Sequence, residues 1–102
     1  MIKLTVLYGH PADAAAFEGY YNSTHLEIAN KIPGVARWEL TRFTGAADGG
    51  RPAFHRMAEL YFPTLEQMEA SLQSTEGMAT LRDLPNFATG GVTVMVGRVM
   101  ES

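Results

Sequence analysis

Apolar and polar side chains alternate over residues 2–8, with Ile2, Leu4 and Val6 set against Lys3 and Thr5, which is the two-residue period of a strand buried on one face. Gly9-His10-Pro11 ends that pattern. Over residues 12–31 the apolar positions Phe17, Tyr21, Ile28 and Ile32 recur at helical spacing, as on one side of a helix, and Pro33-Gly34 stops it. Residues 35–43 and 54–62 are rich in β-branched and aromatic side chains and read as two strands of a hairpin, joined through the flexible turn at 45–50. Thr64 and Gln67 have capping-box spacing directly ahead of Leu65, Met68 and Leu72, so a second helix starts there. Gly77 is expected to interrupt that helix and leave residues 78–81 as a last short turn. Beyond Gly90-Gly91, residues 92–100 form a final strand.

The order βαββαβ predicts an α+β, ferredoxin-like arrangement, with two helices on one face of a four-stranded antiparallel sheet. The final strand adds a constraint. Val92, Val94 and Val96 lie on one of its faces and Met95 and Val99 on the other, and a strand apolar on both sides is expected to be buried on both. Two helices cover only one face, so a second copy is expected on the other, giving a symmetric dimer whose sheets face each other.

Composition narrows the classes of function. Residues 1–102 make one domain, with 46% apolar and 19% charged residues, values that favour a packed core over disorder. The absence of cysteine excludes disulfides, thiolate metal sites and cysteine nucleophiles. A net charge of -3 without a cluster of Lys and Arg argues against nucleic acid and anionic membranes as partners. No signal-peptide pattern or membrane-length apolar run is present, so a cytoplasmic location is expected.

Candidate chemistry centres on the first helix. His25 lies in phase with Phe17, Tyr21 and Ile28, which puts a group titrating near neutral pH on an apolar stripe. Such a group can act as an acid, a base or an orienting donor, although a buried histidine satisfied by a backbone carbonyl fits the same spacing. Tyr21 shares this phase, whereas Tyr20 points elsewhere, toward another element or a dimer contact. Trp38 and Glu39 point to opposite faces of their strand. Glu59, in phase with His55 and Met57, is either an acid with a shifted pKa or the partner of an arginine such as Arg37 or Arg42. His10 precedes Pro11 at a turn and is expected in solvent. His10, His25 and His55 show no paired-ligand spacing, so no metal is expected. The glycines at 45–50 do not open a helix, and no serine has nucleophile-elbow context.

The segment Phe17-Glu18-Gly19-Tyr20-Tyr21-Asn22-Ser23-Thr24-His25-Leu26-Glu27-Ile28, the stop Lys31-Ile32-Pro33-Gly34 and the run Asp83-Leu84-Pro85-Asn86-Phe87-Ala88-Thr89-Gly90-Gly91 together resemble the EthD family of dimeric α+β barrel proteins. Members of that family often carry proline two residues after the histidine. Glu27 stands there in this chain, so its helix is expected to run straighter past His25. The resemblance implies a homodimer of ferredoxin-like units, with a cleft between sheet and helices in each. It also implies that His25 is the family's recurring histidine, with Tyr21 beside it. Relatives in the wider superfamily include lactone isomerases, cyclases, cofactor-independent monooxygenases and haem-binding enzymes.

The expected function is therefore binding of a small apolar, aromatic or lactone-like molecule, and its transformation by cofactor-independent acid/base chemistry at His25 and Tyr21. Phe17, Tyr20, Ile28, Trp38 and Glu59 are the expected ligand-binding residues. The rival readings are a non-catalytic binding or stress-associated module, and a haem protein with His25 as axial ligand.

Overall fold

The computed structural model describes residues 1–100, arranged as β1 (Ile2–Tyr8), α1 (Ala14–Tyr20), a π-helical turn (Tyr21–His25), α2 (Leu26–Ala29), β2 (Arg37–Arg42), β3 (Arg56–Phe62), α3 (Leu65–Gln73), α4 (Thr75–Asp83), a 3-10 turn (Leu84–Asn86) and β4 (Val92–Arg98). The strands form one antiparallel sheet in the order β2-β3-β1-β4, which is the ferredoxin-like topology. In β1, Leu4 lies between Leu60 of β3 and Val96 of β4, and Val6 lies between Ala58 and Val94. One face is thus built from the apolar alternate of each strand, and the helices pack on it. Ile2, Leu4, Val6 and Tyr8 are buried there against Phe17, Tyr21, Met68 and Phe87.

The first helix has the expected start and stop but is not uniform. Asp13 caps it, its Oδ1 accepting from the Ala16 N–H at 3.1 Å, and Gly34 ends the following turn with a φ of 77° that favours glycine. Between these, the Leu26 N–H reaches the Tyr21 carbonyl five residues back, and Ser23 donates its hydroxyl to the Gly19 carbonyl at 2.7 Å. The helix therefore does not run straighter past His25. It widens there, while Glu27 sits exposed in the first turn of α2.

The second helix breaks earlier than expected, at Ser74. This residue is extended (φ -64°, ψ 162°), and its hydroxyl accepts from the Gly77 N–H at 3.0 Å, so it caps a new full-length helix. Gly77 lies inside α4. A Cβ on it would stand 2.2 Å from the Ser71 carbonyl oxygen, so its role is close approach of α4 to the end of α3 rather than interruption.

Three surface expectations are also revised. Glu59 pairs with Lys3 at 2.8 Å, not with Arg37 or Arg42, since Arg37 is engaged by Glu39 of its own strand and Arg42 lies nearest Glu18. His10 is half-buried, its Nε2 2.6 Å from the Pro52 carbonyl oxygen. β4 is exposed along its whole length within one chain, its edge position leaving both faces beyond the helices' cover.

Candidate functional site

A slender cleft, with about 480 Å³ of empty space including its open mouth, runs between the helix-side face of the sheet and the helices. Leu4, Val6 and Leu60 floor it, Trp38 and Leu40 of β2 form one wall, and Tyr21, His25, Leu72 and Leu81 close it from the helix side. Nearly all of this lining is apolar. His25 is the titratable group with an unused ring nitrogen on it.

The π turn positions that imidazole. His25 is 3% exposed, stacks on Tyr21 with ring centroids 5.6 Å apart, and is held from the other side by Phe87 at 4.5 Å. Its Nδ1 donates to Oδ2 of Asp83, the last residue of α4, at 2.8 Å. Oδ1 of Asp83 accepts from the Tyr20 hydroxyl at 2.6 Å and from Nδ2 of Asn86 at 2.9 Å. With Nδ1 so engaged, neutral His25 carries its proton there and presents the Nε2 lone pair, which takes no hydrogen bond among the described residues.

Electrostatics support that assignment. Burial lowers the His25 pKa below 6.5 and outweighs the opposing pull of Asp83, so the ring is neutral at pH 7. Burial alone would push Asp83 up, but hydrogen bonds from Tyr20, Asn86 and His25, with the imidazole's charge, together hold it below its ordinary 3.8. Tyr21 is wholly buried and its hydroxyl has no partner among the described residues. Desolvation pushes its pKa up to about 12 despite the nearby Arg56 cation, so it is a neutral donor at physiological pH. A buried, unpaired hydroxyl costs about 1–3 kcal/mol.

The expected site residues divide. His25, Tyr21 and Trp38 meet on the cleft. Phe17 lies beneath, stacked on Tyr21 at 5.5 Å, and with Tyr20 borders a separate open groove near Asn86, Phe87 and Thr89. Ile28 is half-buried on α2 and off the cleft lining, and Glu59 is on the opposite face of the sheet. Asp83 was not foreseen as a site residue. Its only sequence signal was its place at the head of the Asp83–Gly91 run. A second polar cluster was also unforeseen: Glu18 accepts from Nε2 of His55 at 2.9 Å and from the Arg56 guanidinium at 2.9 and 3.2 Å, clamping α1 to β3. Glu18 is held below its ordinary 4.5, chiefly by Arg56. Among the described residues, no group of three or more His, Asp or Glu side chains is placed to hold a metal, and no helix is long and apolar enough to cross a membrane. The atom free to ligate a cofactor on the cleft is Nε2 of His25.

Comparisons with known proteins bear on the family and the fold. The EthD domain family model matches residues 9–91. An uncharacterised 11.0 kDa protein of Rhodococcus erythropolis is 37% identical over 95 residues, 93% of this chain and 91% of the relative. The crystal structure of an EthD family protein from Bacillus halodurans superposes with a TM-score of 0.92 at 35% identity, covering 98% of this chain and 99% of that one. A dimeric protein of ferredoxin-like fold from Bacteroides fragilis superposes with a TM-score of 0.70 at 14% identity, over 96% and 95% of the two chains, a likeness of fold alone.

Proposed function

The chain belongs to the EthD family, and we propose that it binds a small, uncharged, apolar or lactone-like carbonyl compound in the cleft and moves a proton on it through His25. One observation carries this reading: His25, whose Nε2 lone pair is free, and Tyr21, whose hydroxyl has no partner among the described residues, line the same apolar cleft. Nε2 takes the proton from the carbon beside the carbonyl, and the C–H electron pair moves into the C–C bond and onto oxygen. The Tyr21 hydroxyl donates to that oxygen as charge develops. Return of the proton to a carbon conjugated with that enolate completes an isomerisation, with atoms and electrons balanced and no oxidant consumed. The cleft lining supplies no formal cation to hold an anionic ligand, which favours a neutral one.

We further propose that the working unit is a homodimer. Val92, Val94, Met95, Val96 and Val99 are all more than a third exposed within one chain, a contiguous apolar edge of a kind uncommon on soluble monomers.

Trp38 is the single tryptophan and lines the cleft, so its emission reports occupancy. Titration with small lactones and phenols should quench it saturably. In D2O, deuterium should enter the bound ligand at the carbon beside its carbonyl, at a rate that falls about 100-fold in His25→Gln. Saturable binding without exchange would replace this reading with that of a non-catalytic binding module, and no quenching by any compound would remove both.

A further inference from the structure

We infer that Tyr20, which does not line the cleft, is a positioning residue that sets the basicity of His25 through Asp83. The geometry is a relay of three side chains: the Tyr20 hydroxyl donates to Oδ1 of Asp83 at 2.6 Å, and Oδ2 of the same carboxylate accepts from Nδ1 of His25 at 2.8 Å. Asn86 adds a second donor to Oδ1 at 2.9 Å. Asp83 is 6% exposed, so protein donors take the place of most of its water. They draw negative charge toward Oδ1 and away from the oxygen that holds the imidazole.

The backbone is shaped to make this relay. Tyr20 and His25 are five residues apart, and in an uninterrupted α-helix they would point about 140° from each other. The five-residue π turn between them rotates His25 back toward the side of Tyr20, so one carboxylate receives both. Phe87 completes the arrangement, its ring 5.5 Å from Tyr20 and 4.5 Å from His25. Tyr21 from the same turn stacks on the imidazole and Asp83 from α4 bonds it; beyond them, Tyr8 from β1 and the Arg56 guanidinium from β3 pack on the Tyr21 ring, and Glu18 from α1 binds Arg56. Among the described residues, Asp83 is the one that bonds the ring.

Without Tyr20, the carboxylate keeps more charge on the oxygen facing His25, and the imidazolium is stabilised. Tyr20 therefore holds His25 neutral while leaving its proton on Nδ1. The purpose of this tuning rests on the reading of His25 as the group that moves a proton, whereas its measurement does not.

The test is heteronuclear NMR of the imidazole nitrogens in the free, isotopically labelled protein, following tautomer and titration midpoint. Wild type should show neutral His25 with its proton on Nδ1. Tyr20→Phe keeps the ring that stacks on Phe87, and it should preserve the tautomer while moving the midpoint upward. Asn86→Ala should move the midpoint in the same direction. Asp83→Ala should shift the proton to Nε2 and move the midpoint downward, because burial remains and the carboxylate is gone. A Tyr20→Phe midpoint that stays in place or falls would overturn the inference, as would a wild-type ring protonated on Nε2. Because no ligand is involved, these results stand apart from the deuterium-exchange test, and either idea can fail alone.

Discussion

At the scale of single residues, Tyr21 is where stability and function conflict most plainly. Its hydroxyl is buried without a partner, while its ring packs edge-on against Tyr8 at 5.5 Å and stacks on Phe17. Tyr21→Phe keeps the ring and removes the desolvated oxygen. Urea unfolding should therefore show equal or higher stability, by up to about 1–3 kcal/mol, while ligand binding weakens. A loss of stability on that scale would mean that the hydroxyl has a partner in solution. The titrating groups add a pH dependence whose direction is fixed. Burial holds folded His25 below 6.5, so as pH falls below 6.5 the unfolded chain takes up that proton first and stability declines. Glu18 and Asp83, held below 4.5 and 3.8, contribute stability that is present above those values and lost as pH falls through their folded pKa values. Thermal melts should thus show two declines on acidification from pH 7, and His25→Gln should flatten the first, reduce the Asp83 share of the second and leave its Glu18 share.

At the scale of elements, what was legible in the sequence follows the range of the signal. The alternation of Ile2, Leu4 and Val6, the Thr64 cap and the Pro33-Gly34 stop are local patterns, and each marks an element that is present. The break falls at Ser74 and not at Gly77, because the missing side chain of Gly77 serves packing and does not interrupt the helix. Gly77→Ala makes that difference measurable. Its Cβ would meet the backbone carbonyls of Ser71 and Leu72 at 2.2 and 2.7 Å, and backbone cannot swing aside as a side chain can. Alanine ordinarily stabilises a helix by up to about 1 kcal/mol over glycine. Here we expect a net loss of about 1–3 kcal/mol in denaturant unfolding, and a stabilised variant would show that the helix junction relaxes freely. The site was only half legible for a related reason. The stripe Phe17, Tyr21, His25 identified the histidine, but its partner Asp83 lies 58 positions away, a separation no periodicity reports. Tyr20 was placed out of phase because the count assumed a uniform α-helix, and the π turn changed the phase.

At the scale of the whole molecule, the open question is what β4 is for. It contributes one row of hydrogen bonds to β1 and leaves its other edge unpaired. Its helix-side residues Val94 and Val96 are 44% and 53% exposed, although their partners Val6 and Leu4 are buried. An edge strand this apolar, without a charge until Arg98, lacks the usual protection against pairing with another chain. The face of the sheet away from the helices is different in character. It carries the Lys3–Glu59 pair and the Arg37 guanidinium over the Tyr61 ring at 4.2 Å, with Met95 its exposed apolar residue on β4. The apolar edge is thus the stronger source of self-association, and the proposed dimer should depend on it. Light scattering of the purified protein at micromolar concentration should give twice the 11.2 kDa of one chain. Replacing both Val94 and Val96 by Lys should halve that mass with the circular dichroism unchanged, since substitutions at such exposed positions cost the isolated fold only about 0.5 kcal/mol each. A monomeric wild type would remove the dimer. A variant that stays dimeric would move the interface from the β4 edge to the Tyr61 face.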